Sequence, residues 1–146
     1  MSQNVQYVRT PRVGVGIMTG LPPSAGTNTV VIPSSVDRTV LILEAGPRGT
    51  AVNRIRVTRV CDSAGSLQTL RFYIGVDILL SHYRDFAFDV SNPATTTYGT
   101  QARPYCEFVT PGLFLEAGQQ LRFTRNTDWS FSGSDVYTAI ALGSDL

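Results

Sequence analysis

Lysine is absent from this chain: all twelve basic residues are arginine. Codon bias toward GC-rich triplets accounts for this without any function. The functional alternative is that arginine's planar fork suits ordered interfaces better than a flexible ammonium. Charge is also scarce, at 16% of residues with a formal net charge of +1, against about 25% charged residues in ordinary soluble domains. No global field therefore steers the molecule to nucleic acid or an anionic membrane, and neither is an expected partner. Partners are recognised by shape. No apolar run reaches the roughly 18 residues of a membrane span. The start Met1-Ser2-Gln3-Asn4 lacks the basic and greasy regions of a secretory signal. The chain is expected to be made and kept soluble. Cys61 and Cys106 are the only cysteines. Two isolated thiols make neither a disulfide framework nor a zinc site, so free thiols are expected, and a bridge would need the two Cα atoms within about 7 Å.

Catalytic machinery is missing as well. His82 is the sole histidine, there is no Gly-x-Ser-x-Gly elbow for a serine hydrolase, and neither cysteine has a protease context. With Asp85 and Asp89, His82 could be imagined as a metal site, but strong sites converge three or four ligands; the turn Ser81–Arg84 reads as surface loop. Gly14-Val-Gly16 lacks the third glycine, the helix and the acidic residue of a dinucleotide fingerprint. Ala45-Gly-Pro-Arg-Gly49 lacks the lysine of a phosphate cradle and reads as a hairpin turn. No enzyme, cofactor or metal is expected.

What the chain does contain is alternation. From Thr110 to Arg125 it reads strand, tight turn, strand, with Gly118 in the turn and Gln120, Arg122 and Thr124 alternating with Leu121 and Phe123. Val52–Val60 repeats the pattern, with Ile55 and Val57 inward and Arg54, Arg56 and Thr58 outward. In the next strand Leu70, Phe72, Ile74 and Val76 take one face, Arg71 and Tyr73 the other. If these strands pair, Arg54, Arg56 and Arg71 share an exposed face, read either as a solvated sheet surface or as an arginine-rich contact patch. Phe86, Phe88 and Val90 alternate with Asp85 and Asp89, and Val136–Leu142 closes the pattern. The fold class is therefore all-β: a two-sheet antiparallel β-sandwich, jelly-roll-like, of about eight strands.

Residues 1–36 differ. Pro11, Pro22, Pro23, Pro33 and several glycines leave only short extended pieces. This stretch is expected to be an extended N-terminal arm, and 37–146 the sandwich domain. Val13, Val15, Ile17, Val30 and Ile32 are candidate anchors of the arm on a partner, main-chain pairing with a sheet edge adds to them, and Arg9 and Arg12 reach for acidic groups. The run Val40-Leu41-Ile42-Leu43 is apolar on both faces, which a one-sided strand is not; the lid over its second face is either a neighbouring subunit of a homo-oligomer, with a cyclic trimer as the expected form, or the arm of the same chain.

Leu43-Glu-Ala-Gly46, Val52-Asn-Arg-Ile-Arg-Val57, Leu70-Arg-Phe-Tyr73, Pro111–Gly118 with Leu121-Arg-Phe123, and Tyr137–Asp145 together resemble small β-sandwich virion proteins encoded beside the head genes of tailed bacteriophages and prophages. The resemblance covers roughly residues 37–146; the loop at 91–103 is longer than its pattern and the chain ends on Leu146 instead of an aromatic residue. It implies a non-enzymatic virion protein, made in the host cytoplasm, that decorates or cements the capsid, as a homo-oligomer bound to the major capsid protein or other virion proteins. A different reading comes from Asp128, Trp129 and Asp135 and the polar loop 91–103: an aromatic platform with acids could hold a sugar ring, as in an adhesive sandwich at a fibre or tail tip.

Overall fold

A computed structural model describes residues 9–19, 39–60, 68–76, 79–88, 105–125 and 136–146. The described residues form eight strands: β1 (Thr10–Thr19), β2 (Val40–Glu44), β3 (Thr50–Val60), β4 (Gln68–Val76), β5 (Leu79–Phe88), β6 (Tyr105–Leu115), β7 (Gln120–Arg125) and β8 (Val136–Asp145). They make two antiparallel four-stranded sheets. Sheet A has the order β1-β8-β3-β6 and sheet B the order β2-β7-β4-β5. Every connection except β4 to β5 passes from one sheet to the other, which is the eight-strand order of a jelly roll. The expected β-sandwich is the observed fold.

The core lies between the sheets because the apolar alternation aims there. Ile55, Val57, Leu115, Tyr137, Ala139 and Ala141 from sheet A meet Leu43, Leu70, Phe72, Leu121 and Phe123 from sheet B. Phe72 and Phe123 stack with ring centroids 5.9 Å apart. Burying an aliphatic or aromatic side chain of this kind stabilises by about 1.5–3 kcal/mol.

Three local expectations need correction. The segments around Gly49 and Gly118 do not close hairpins. They are arches between sheets, β2 to β3 and β6 to β7. The arches lie side by side: the Ala45 amide donates to the Gln119 carbonyl at 2.8 Å. Gly118 supplies the left-handed residue of its turn (φ 78°), closed by Gln119 N–H to Glu116 O at 2.9 Å. Second, the apolar run 40–43 is not covered on two faces. The pairing of β2 with β7 shifts between Leu41 and Leu43, so Ile42 is an inserted residue. The bulge turns both Ile42 and Leu43 into the core while Leu41 stays exposed. The trimer argument built on that run loses its ground. Third, residues 81–84 are strand, not turn. β4 and β5 join at 77–78, and the register skips Tyr83 opposite Phe72 and Tyr73. A bulge there interrupts the alternation that a strand is read from.

β1 falls inside the stretch expected as an arm. It is the edge strand of sheet A, antiparallel to β8 from Thr10↔Asp145 to Thr19↔Val136, and Met18 is part of the core. The edge that accepts this strand is the chain's own. Gly14 and Gly16 make its seat possible: a Cβ on Gly14 would collide with the Ile42 carbonyl oxygen, and one on Gly16 would stand 2.6 Å from the Leu41 carbonyl oxygen. The rest of the expected arm, with Val30 and Ile32, lies outside the described residues.

The two ends of the sandwich differ. At one end the connections are 45–49, 77–78 and 116–119. At the other, the strand ends at 19, 40, 60, 68, 88, 105, 125 and 136 come together, as the registers of β1, β3, β4, β6, β7 and β8 require. These strand ends therefore share one end of the sandwich.

Candidate interaction faces

Strand pairing assembles the outer face of sheet A row by row. One row runs Val13, Leu142, Arg54, Val109; the next runs Val15, Ile140, Arg56. On β1 the inward positions are Gly14, Gly16 and Met18, which turns Val13, Val15 and Ile17 outward at 60%, 52% and 56% exposure. Ile140 and Leu142 on β8 are half-buried beside them. The result is an aliphatic stripe along the β1 edge, followed across the sheet by the exposed Arg54 and Arg56. Val109 and Phe114 on β6 are also exposed apolar residues. The expected anchors Val13, Val15 and Ile17 are brought together, on a strand fixed to its own sandwich.

Arg71 does not join Arg54 and Arg56. β3 and β4 lie in different sheets, so no common face exists. Arg71 stands on the outer side of sheet B at 3% exposure, with its Nε 3.4 Å from Asp85 Oδ1. His82 Nε2 hydrogen-bonds the same carboxylate oxygen at 2.8 Å. In a regular strand residues 82 and 85 would face opposite ways; the bulge at Tyr83 puts both on one side. Tyr73, opposite His82 in the register, meets its ring edge-on at 6.0 Å. Tyr73 is fully buried. Burial holds its phenol above the ordinary value of 10.0, against the lowering influence of Arg71. A second chain runs along β7 and β2: Glu44 Oε2 accepts from Gln120 Nε2 at 3.0 Å, Gln120 Oε1 accepts from Arg122 Nη1 at 2.8 Å, and Arg122 Nε donates to Thr39 Oγ1 at 2.6 Å. These contacts hold Arg71, His82, Asp85, Gln120 and Arg122 within the chain, while Thr124 Oγ1, opposite Arg71 in the register, is buried without a hydrogen-bond partner among the described residues.

Arg12 was expected to reach a partner. Instead its Nη2 donates to the Glu44 carbonyl at 3.1 Å, and its Nη1 is 3.6 Å from Asp145 Oδ2. It ties β1 to β2 and β8, because antiparallel pairing sets the start of β1 beside the end of β8. Thr50 continues the tie, donating to Asp145 Oδ1 at 2.5 Å and accepting from the Gly46 amide at 3.0 Å. Arg9 is exposed. Asp89, Cys61, the loop 91–103 and the candidate sugar contacts Asp128, Trp129 and Asp135 lie outside the described residues, as does the side chain of Cys106. Among the described residues no group of three or more His, Cys, Asp or Glu could hold a metal ion, and no helix is long and apolar enough to cross a membrane.

No family model matches the chain, and no curated protein matches it. Among solved structures it is similar to a chain of the cyanophage Pam1 capsid asymmetric unit, with 13% identity and a TM-score of 0.49, over 100% of this chain and 92% of that one.

Proposed function

We propose that this chain is a non-enzymatic structural protein of a tailed-phage virion, a capsid decoration protein that self-associates and binds the shell or its major capsid protein. The observation that carries the reading is the aliphatic stripe Val13, Val15 and Ile17, held outward on a strand whose two glycines seat it against β2. Such a stripe serves a partner surface. The strand-and-turn resemblance in the sequence supports the virion setting, and exposed Arg54 and Arg56 give the same face a charged margin suited to a protein neighbour. The test is binding of the purified chain to undecorated parent particles. Saturable binding at a fixed copy number per particle is expected, with Ile17→Asp reducing it at least ten-fold. Absence of the protein from purified virions, or an Ile17→Asp variant that binds as well as the wild type, would contradict the reading.

A second reading, an adhesive or carbohydrate-binding sandwich, draws on one topological fact. The ends of β5, β6, β7 and β8 that flank 89–104 and 126–135 lie at the same end of the sandwich. A glycan array with wild type and Trp129→Ala decides it: glycan binding lost in the variant supports adhesion, and no binding by the wild type removes it.

A further inference from the structure

Among the described residues the two stacked sheets have four edge strands, β1, β2, β5 and β6. An edge strand presents unpaired main-chain groups, and folded proteins blunt such edges with bulges, charges, proline or brevity. Three of the four edges are blunted in this way. β2 is five residues long and bulged at Ile42. β5 is bulged at Tyr83 and carries His82, Arg84 and Asp85. β6 holds Pro111 and the left-handed Gly112, and its pairing with β3 is broken there. β1 is the exception. Its ten residues pair with β8 in unbroken register, Pro11 stands only at its start, and no charge occurs from Val13 to Thr19. A long, regular, uncharged edge beside an exposed aliphatic stripe is the feature that folded monomers remove.

We infer that the occupant of this edge is β1 of a second copy of the chain, paired antiparallel about a two-fold axis at Val15. In that register alone all three outward aliphatics meet one another. Val15 meets its own copy, Val13 meets Ile17 and Gly14 meets Gly16. An axis perpendicular to the sheet keeps both aliphatic stripes on one outer face, so they merge. Arg12 then stands opposite Met18 of the second copy. The two guanidinium groups are separated by six residues of strand, about 20 Å, beyond a Debye length of about 8–10 Å. A parallel alignment in register would set Arg12 beside Arg12. Exposed Leu41, whose carbonyl lies against Gly16 of β1, adds apolar surface at the same edge. The contact is isologous and closed, so it ends at two copies and does not propagate into a fibre. The two-fold pairing takes the place of the trimer suggested by the apolar run of β2. It rests on the self-association in the proposed function and not on the particle that the protein binds.

The test is site-directed disulfide trapping in the full chain, with links mapped by peptide mass. Opposed residues of an antiparallel pair have Cα atoms about 4.5–5.5 Å apart, within disulfide range. Val13 and its own copy would be about 13 Å apart. Val15→Cys should therefore form a 15–15 link at least ten-fold faster than Val13→Cys forms a 13–13 link. Leu79→Cys, at 77% exposure on another edge, measures random collision and should be as slow as Val13→Cys. Sedimentation equilibrium of the wild type should show a dimer that Val15→Lys dissociates at least a hundred-fold more readily. A wild-type dimer without preferential 15–15 trapping overturns the edge pairing and leaves self-association standing. A wild-type monomer throughout the micromolar range overturns both.

Discussion

The outer faces of the two sheets carry residues that look alike in sequence and are used in opposite ways. On sheet B, Arg71, Tyr73, His82, Asp85 and Arg122 hold one another or nearby backbone, and the two bulky members on β4 are buried. On sheet A, Val13, Val15 and Ile17 stand in solvent while the glycines between them are buried. The polar face is spent on the chain's own stability and the apolar face is not. Burial, which normally marks greasy residues as structural, here marks arginine and tyrosine so. The aliphatic stripe that stays exposed along β1 lies on sheet A.

Breaking the seat of the exposed stripe should have the largest effect. Gly14→Val places side-chain atoms against the Ile42 carbonyl and Leu43. With backbone on one side there is no relaxation route, so a loss of about 3 kcal/mol or more is expected in urea unfolding. Next comes the buried polar face. Asp85→Ala removes the carboxylate beside buried Arg71 and should cost about 2 kcal/mol. The double change Arg71→Met with Asp85→Leu should cost less than Asp85→Ala alone, since it leaves no buried guanidinium without this carboxylate. A thermal-unfolding cycle of the three proteins checks the order.

Tyr73 sharpens the contrast through pH. Its phenol titrates above 10.0 in the folded protein because it is buried, so between about 10 and the folded pKa the unfolded chain binds fewer protons than the folded one. Its contribution is complete below pH 10 and is lost as pH rises through the folded value. Stability measured from pH 9 upward should fall, and Tyr73→Phe should flatten that fall. The smallest effect belongs to the exposed stripe. Val15→Thr should change monomer stability by no more than about 0.5 kcal/mol, whereas Leu121→Ala in the core should cost about 2–5 kcal/mol.

Much of this was legible in residue order. Ile55 and Val57 in, Arg54 and Arg56 out, Leu70 and Phe72 in, and the turn glycine at 118 all follow from alternation and from left-handed backbone geometry. Which sheet a strand joins did not follow. A four-residue turn can close a hairpin between strands about 4.8 Å apart or cross between sheets about 10 Å apart, and apolar periodicity is the same in both. One signal was present: Leu-Glu-Ala-Gly occurs at Leu43–Gly46 and again at Leu115–Gly118, at the starts of the two arches that lie side by side. Bulges were also silent. One inserted residue reverses every facing assignment beyond it, so Ile42 made β2 look two-faced and Tyr83 hid the meeting of His82, Asp85 and Arg71. The buried role of Arg71 depends on that bulge, and no spacing within β4 reveals it.

The most direct test of the claim that the β1 side of sheet A serves a partner is amide hydrogen exchange at low and high protein concentration, comparing β1 with β5. Between about 1 μM and about 500 μM the edge-facing amides of residues 13–17 should slow at least ten-fold while those of 79–85 keep their rates. Equal exchange of β1 at both concentrations, or slowing confined to β5, would contradict the account.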